Sequence, residues 1–182
     1  MKLIILDRDG VINLDSPHFI KTPDEWIPIP GSLEAIARLC QHHYRVAIAT
    51  NQSGLARGLF TLEQLSAIHH KMLEALSALG GEIEAIAFCP HHPDDHCDCR
   101  KPKPGLIIDL LNRTQLKANE ALVVGDSLRD LQAGIAAGCA TSLVRTGNGE
   151  KTITQGDSLL QHVTVYDDLA AVVDAILAQA HT

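Results

Sequence analysis

Acidic and basic residues with hydroxyl groups gather at four places in this chain. The first is Asp7-Arg8-Asp9-Gly10. The second is Thr50-Asn51-Gln52-Ser53-Gly54, the third Arg100-Lys101-Pro102, and the fourth Gly125-Asp126-Ser127 with Asp130 shortly after. Asp7 and Asp9 are two apart, so in extended backbone both side chains project to one side while Arg8 projects to the other. Two carboxylates on one side suit a metal ligand and an acid–base partner. Asp126 adds a third carboxylate, and oxygen donors in that number suit Mg²⁺, which keeps several waters and takes phosphate oxygens as further ligands. The Thr50 hydroxyl and the backbone N–H groups of the turn after it are suitable donors for phosphoryl oxygens, and Lys101 supplies a point charge for the same oxygens. Asp130 either caps the helix that starts at Ser127, or orients Lys101 or a metal-bound water. The chemistry these residue types could share is phosphoryl transfer.

Each cluster follows a short apolar run. The runs cover residues 3–6, 46–49, 83–88, 121–124 and 142–144, of strand length and mostly rich in Ile, Val and Leu. Amphipathic helical patterns lie between them. Leu33, Ile36, Ala37 and Cys40 mark one stripe; Leu62, Leu65, His69, Met72, Leu76 and Leu79 mark a second, opened by a Thr61/Gln64 capping box and stopped at Gly80-Gly81. Pro104 opens a third, with Ile107, Leu110 and Leu111 inward, and Ser127 caps a fourth that ends at Gly138. Asp167 or Asp168 starts the last, carrying Leu169, Val172, Val173 and Ile176. This alternation predicts an α/β fold, a doubly wound parallel sheet in a single domain over residues 1–182. Ligands in such folds bind beyond the carboxyl ends of the strands, where all four clusters fall. Residues 8–30, 51–60 and 89–103 form long connections of the kind that carry function. Residues 146–162, with Gly147, Gly149 and Gly156, read as a flexible surface loop to which the sequence assigns no function.

Composition narrows the function classes. A formal net charge of −7 argues against a nucleic-acid surface. No apolar run is long enough to span a membrane, and the N-terminus meets charge at once, as a first strand of a cytoplasmic protein would. The five cysteines are odd in number, which makes a disulfide framework improbable. Cys40 and Cys139 read as buried small hydrophobes. No exposed apolar stripe demands a partner, so a monomer is expected.

Taken in order, Asp7-x-Asp9, the run ending in Thr50, Lys101, and Gly125-Asp126-x-x-x-Asp130 resemble the motifs of the haloacid dehalogenase superfamily of phosphatases. They span most of the chain. The resemblance implies that Asp7 is the nucleophile that forms an aspartyl phosphate. Asp9 then protonates the leaving oxygen and activates the hydrolytic water, while Thr50 and Lys101 stabilise the phosphoryl group in transfer. Mg²⁺ would be held by Asp7, the backbone carbonyl of Asp9, and Asp126.

The segment from Cys89 to Pro102 resembles the zinc loop of a subgroup without a large cap domain, which acts on heptose bisphosphate or histidinol phosphate. Cys89, His91, Cys97 and Cys99 supply four N/S donors, enough for a closed structural Zn²⁺ site, with His92 or His96 as alternatives to His91. The opening from Asp7 to Asn13 and the segments Thr50 to Gly54 and Ala56-Arg57-Gly58 look most like the heptose members. That likeness implies removal of the 7-phosphate of a heptose 1,7-bisphosphate, a step toward the lipopolysaccharide core. Histidinol phosphate is the alternative substrate, and non-catalytic sugar-phosphate binding or phosphotransfer to an alcohol are alternative activities. The resemblance also implies substrate contacts at Asp15, Ser16, Pro17 and His18, at Asn51, Gln52 and Ser53 beside Thr50, and at Arg100. Arg57 and Lys21 are further basic candidates.

Overall fold

The structure, a computed structural model, describes residues 1–180. Six strands form one parallel sheet in the order β3-β2-β1-β4-β5-β6. They are β1 (Leu3–Leu6), β2 (Arg45–Asn51), β3 (Ala85–Cys89), β4 (Ala121–Gly125), β5 (Ala140–Val144) and β6 (Thr164–Tyr166). Six helices connect or follow them: α1 (Ser32–Gln41), α2 (Leu62–Ser77), α3 (Gly105–Thr114), α4 (Leu128–Ala136), α5 (Gly149–Thr154) and α6 (Leu169–Ala180).

Period-two alternation in the central strand divides the core. Ile4 and Leu6 pack on one face with Ile36 and Leu39 of α1, Ile68 and Met72 of α2, and Val172 and Val173 of α6. Leu3 and Ile5 pack on the other face with Leu106, Ile107 and Leu110 of α3 and Ala133 of α4. All four β1 residues are fully buried. Burial on both faces explains why the strand is a continuous apolar run.

The strand order reverses direction between β1 and β4, which are in register from Leu3↔Ala121 to Leu6↔Val124. The crevice at that reversal, beyond the carboxyl ends, is where doubly wound sheets bind ligands. Asp7 continues β1 into it, and its N–H donates to Val124 O at 3.0 Å.

Several boundaries differ from the sequence expectation. β2 runs on through Thr50 and Asn51, which pair with Phe88 and Cys89, so Thr50 is a strand residue at the sheet edge of the crevice. Leu62 and Leu79, the ends of the second stripe, are exposed. Leu62 opens the first turn of α2, and Leu79 lies beyond its last residue, so neither faces the sheet. The Thr61/Gln64 capping box is present, with Gln64 N donating to Thr61 Oγ1 at 3.2 Å and Thr61 N to Gln64 Oε1 at 2.8 Å. Cys139 is buried, but Cys40 is only partly so, with its sulfur 3.5 Å from Glu82 O. Residues 146–162 are not a featureless loop. They contain α5 and a 3-10 turn at Ser158–His162, and they lead into β6, a strand too short and too exposed to leave an apolar run. No helix among the described residues is long and apolar enough to cross a membrane.

Candidate active site and metal-binding cluster

The loops after β1, β2, β3 and β4 meet in one cavity of about 160 Å³. Its lining includes Asp7, Asp9, Asp15, Ser16, Thr50, Asn51, Gln52, Ser53, Arg100, Lys101, Asp126 and Asp130. Two of the expected contacts are elsewhere. Pro17 faces a neighbouring groove with Leu14 and Ile29. His18 is exposed and lines neither space; its backbone N–H donates to Ser16 Oγ at 3.1 Å. Chain reversal at Ser16 turns it outward, and the N–H of Phe19 returns to Ser16 O at 3.1 Å. Of the two extra basic candidates, Lys21 is taken up by Glu25 and the His18 carbonyl, and Arg57 lies over the Phe19 ring at 6.0 Å.

Lys101 is the hub of the cavity floor. Its side chain is 3% exposed, and its ammonium lies 2.6 Å from Asp130 Oδ1 and 3.1 Å from Asp7 Oδ1. It also donates to Ala49 O at 2.7 Å. Burial favours the neutral amine, but the Asp130 and Asp7 charges outweigh it and hold the Lys101 pKa above its ordinary value. Asp130 makes the contacts of a helix cap and of a Lys101 partner at once. Its Oδ2 accepts from Ser127 N at 3.0 Å and from Ser127 Oγ at 2.6 Å, while Oδ1 faces Lys101.

The nucleophile candidate stands in a crowded field. Burial pushes the Asp7 pKa well above the carboxylate range; Lys101 opposes this, and the Asp130, Asp126 and Asp9 charges add to it. Asp126 is pushed up to about 6, first by burial and then by Asp130, against two Asn148 hydrogen bonds. One carboxylate oxygen from each of Asp7, Asp126 and Asp130 lies within 4.8 Å of the others. Clustered carboxylates that resist ionisation together are chemically suited to a dication, whose charge would reverse that cost.

Two glycines press on Asp126. Gly10 (φ +82°) and Gly147 (φ +59°) both sit in the left-handed region, where a side chain is strained. A Cβ at either would come within 2.1 or 2.2 Å of Asp126 Oδ2. The same turn delivers Asn148, whose backbone N–H and side-chain amide donate to Asp126 Oδ2 at 2.7 and 3.2 Å, and whose amide also reaches Asp15 Oδ2 at 2.9 Å. Thr152 Oγ1 adds a bond to Asp126 O at 2.9 Å. The segment to which the sequence assigned no function thus holds a metal-ligand candidate. Asn148 and Arg129, both lining the cavity, are the residues the sequence reading missed. A Gly-Asn-Gly triplet signals only a turn, and Arg129 looks like a solvated helix residue.

Asp9 differs from the extended-strand expectation. Arg8 does not point away from it. The chain bends at Arg8, whose guanidinium is fully buried and clamps the Asp9 carboxylate with Nη2 at 2.9 and 3.0 Å and Nε at 3.1 Å. Asn13 Nδ2 and Gln52 Nε2 complete the ring of donors at 2.9 and 3.0 Å. Gln52 Nε2 also lies 2.9 Å from Thr50 Oγ1. Asn51 is a brace rather than an open donor: its side-chain amide bonds both ways with the Lys101 backbone at 3.1 Å.

The third loop closes into a second cluster. Sulfur–sulfur distances of Cys89–Cys97 and Cys97–Cys99 are 3.6 Å, and His91 Nδ1 is 3.3 Å from Cys99 Sγ and 3.6 Å from Cys89 Sγ. A tetrahedral Zn²⁺ with sulfur ligands at ~2.3 Å would set sulfurs roughly 3.7 Å apart, so the donor set fits. His91 is the histidine in the cluster; His92 turns to Asp94, and His96 is exposed.

The family described as HAD-hyrolase-like matches residues 98–172. D-glycero-beta-D-manno-heptose-1,7-bisphosphate 7-phosphatase of Bordetella bronchiseptica is 58% identical over 180 residues, covering 99% of this chain and 100% of that protein. The Pseudomonas aeruginosa protein of the same name is 52% identical over 175 residues, covering 96% and 97%. A crystal structure of D,D-heptose 1.7-bisphosphate phosphatase from B. bronchiseptica, complexed with magnesium and phosphate, matches with a TM-score of 0.95 at 57% identity. It covers 98% of this chain and 99% of that one. With the fold, the motifs and near-full-length identity in agreement, the chain belongs to the haloacid dehalogenase-like phosphatases, in the family of these heptose-bisphosphate 7-phosphatases.

Proposed function

We propose that this protein is an Mg²⁺-dependent phosphatase that removes the 7-phosphate of D-glycero-D-manno-heptose 1,7-bisphosphate through an aspartyl phosphate on Asp7. The observation that carries the reading is the Asp7–Lys101–Asp130 arrangement at the end of β1, in a chain 58% identical to a protein of that activity. The scissile phosphate enters the cavity between Asp7, Thr50 and Lys101. An Asp7 carboxylate oxygen attacks phosphorus as the bond to the sugar oxygen breaks. Asp9 gives that oxygen a proton, then takes one from the water that attacks the aspartyl phosphate, which restores Asp7 and releases inorganic phosphate. Lys101 and the Thr50 hydroxyl bind the equatorial oxygens as charge shifts among them. Asp130 keeps the Lys101 ammonium aimed at the site. Asp7, the Asp9 backbone carbonyl and Asp126 hold Mg²⁺, which when bound supplies positive charge to the carboxylates and the phosphoryl oxygens.

Cys89, His91, Cys97 and Cys99 hold a structural Zn²⁺ that shapes the loop carrying Arg100 and Lys101. Asp15, Ser16, Gln52, Ser53 and Arg100 face the sugar. Asn51 acts by bracing Lys101. The protein works as a single-domain cytoplasmic monomer: its exposed large apolar side chains are spread along the chain, with Leu14 and Ile27 neighbours in the connection after β1, Leu59 before α2 and Ile108 on α3. Light scattering should give the mass of one chain; twice that mass would refute the monomer.

The substrate assignment is tested by kcat/KM for heptose 1,7-bisphosphate and histidinol phosphate side by side. At least a tenfold preference for the heptose is expected, about 1.4 kcal/mol of transition-state binding. A preference for histidinol phosphate would keep the mechanism and overturn the substrate.

A further inference from the structure

We infer that His69 of α2 is a positioning residue for Asp9, acting through Arg8; the inference rests on Asp9 being the acid–base partner. Arg8 is fully buried, an expensive place for a charge unless every face of the guanidinium is engaged. Nη2 and Nε are spent on the Asp9 carboxylate. The opposite end, Nη1, lies 3.2 Å from His69 Nε2. An arginine only donates, so His69 Nε2 must accept, and a neutral ring then carries its proton on Nδ1. Burial and the Arg8 charge favour that neutral ring. The imidazole is held in turn by the Phe88 ring of β3, edge-on with centroids 6.4 Å apart at 63°.

The result is a rigid line from the helix to the site: His69 accepts from Arg8, Arg8 clamps Asp9, and Gln52 joins Asp9 to Thr50. Without the His69 acceptor, Nη1 loses a buried partner and the guanidinium can rotate about its stem. The fork that fixes the Asp9 carboxylate then loosens. An acid–base group displaced by an ångström can cost up to about a hundredfold in turnover, so a loosened one costs a sizeable part of that. His69 is too far along the chain from any motif for its stripe position to signal more than a half-buried helix residue.

The test uses three variants of the full chain. H69F keeps the ring and its packing on Phe88 but removes the acceptor. H69Q puts a side-chain oxygen near the place of Nε2. R8K keeps a charge without a fork. Kinetics with heptose 1,7-bisphosphate should give H69F about a tenfold lower kcat with KM within twofold of wild type, and H69Q should recover most of that loss. In an R8K background, H69F should cost nothing further, because the route through Arg8 is already broken. Equal kcat for H69F and wild type, a loss of the same size in H69Q, or additive losses with R8K would each overturn the inference. A second readout is independent of turnover. ¹⁵N spectra of wild type should give a neutral His69 with Nδ1 protonated and slow Arg8 Nη rotation, and H69F should speed that rotation. A His69 protonated on Nε2 would overturn the inference even if the heptose proved to be the wrong substrate.

Discussion

Lys101 shows most clearly how one side chain joins folding to chemistry. It is buried between two carboxylates, and the ammonium is what makes their burial tolerable. Lys101→Met removes the charge at similar volume and leaves Asp7 and Asp130 facing each other. Chemical denaturation should find the variant destabilised by about 3 kcal/mol, with turnover lost as well. Unchanged stability would mean that the pair does not hold the site together. His69 offers a pH test. Burial and then the Arg8 charge lower its pKa to about 4, below the ordinary 6.5. The unfolded chain therefore takes up a proton that the folded ring refuses, and stability present above pH 6.5 is lost as pH falls toward 4. Between pH 7 and 4.5 wild type should lose on the order of 2 kcal/mol more than H69F. Parallel losses in the two proteins would remove His69 from the acid response. That Asp7, Asp9, Thr50, Lys101, Asp126 and Asp130 share one cavity was readable from type and spacing, because polar groups that follow the strands of a doubly wound sheet collect at one edge. Asn148, Arg8 and His69 were not, since each acts through a contact made only when distant segments pack.

The elements repeat that division. Five strands and five helices announce themselves by period and by caps, as Thr61 and Ser127 do, because burial on two faces demands a regular pattern. β6 and α5 did not. Both are short: α5 follows the turn that sets Gly147 and Asn148 against Asp126 and adds the Thr152 bond to Asp126 O, while β6 extends the sheet beside β5. The loop after β3 is the other element whose shape comes from chemistry, since it has no apolar core of its own. Cys97→Ser should lower bound zinc from about one equivalent per chain to near zero, measured by elemental analysis. Turnover should fall with it, because Arg100 and Lys101 follow the loop directly. Full activity with no zinc in wild type would show that the loop needs no metal.

The molecule as one body is a central sheet that brings four strand ends to one edge, with helices covering both faces and the functional loops left free. The reversal of strand order between β1 and β4 opens the crevice. The residues beyond it convert a widespread scaffold into a site for one kind of ester. Doubly wound topology was apparent from the alternation of runs and helices. The identity of the sugar was not, because Asp15, Ser16 and Arg100 could serve many polyols. The most direct test is phosphate release from heptose 1,7-bisphosphate by wild type and Asp7→Asn, each with Mg²⁺ and with EDTA. Mg²⁺-dependent release by wild type, reduced at least about a thousandfold in D7N, is the predicted result. Comparable release by D7N would contradict the aspartyl-phosphate mechanism outright.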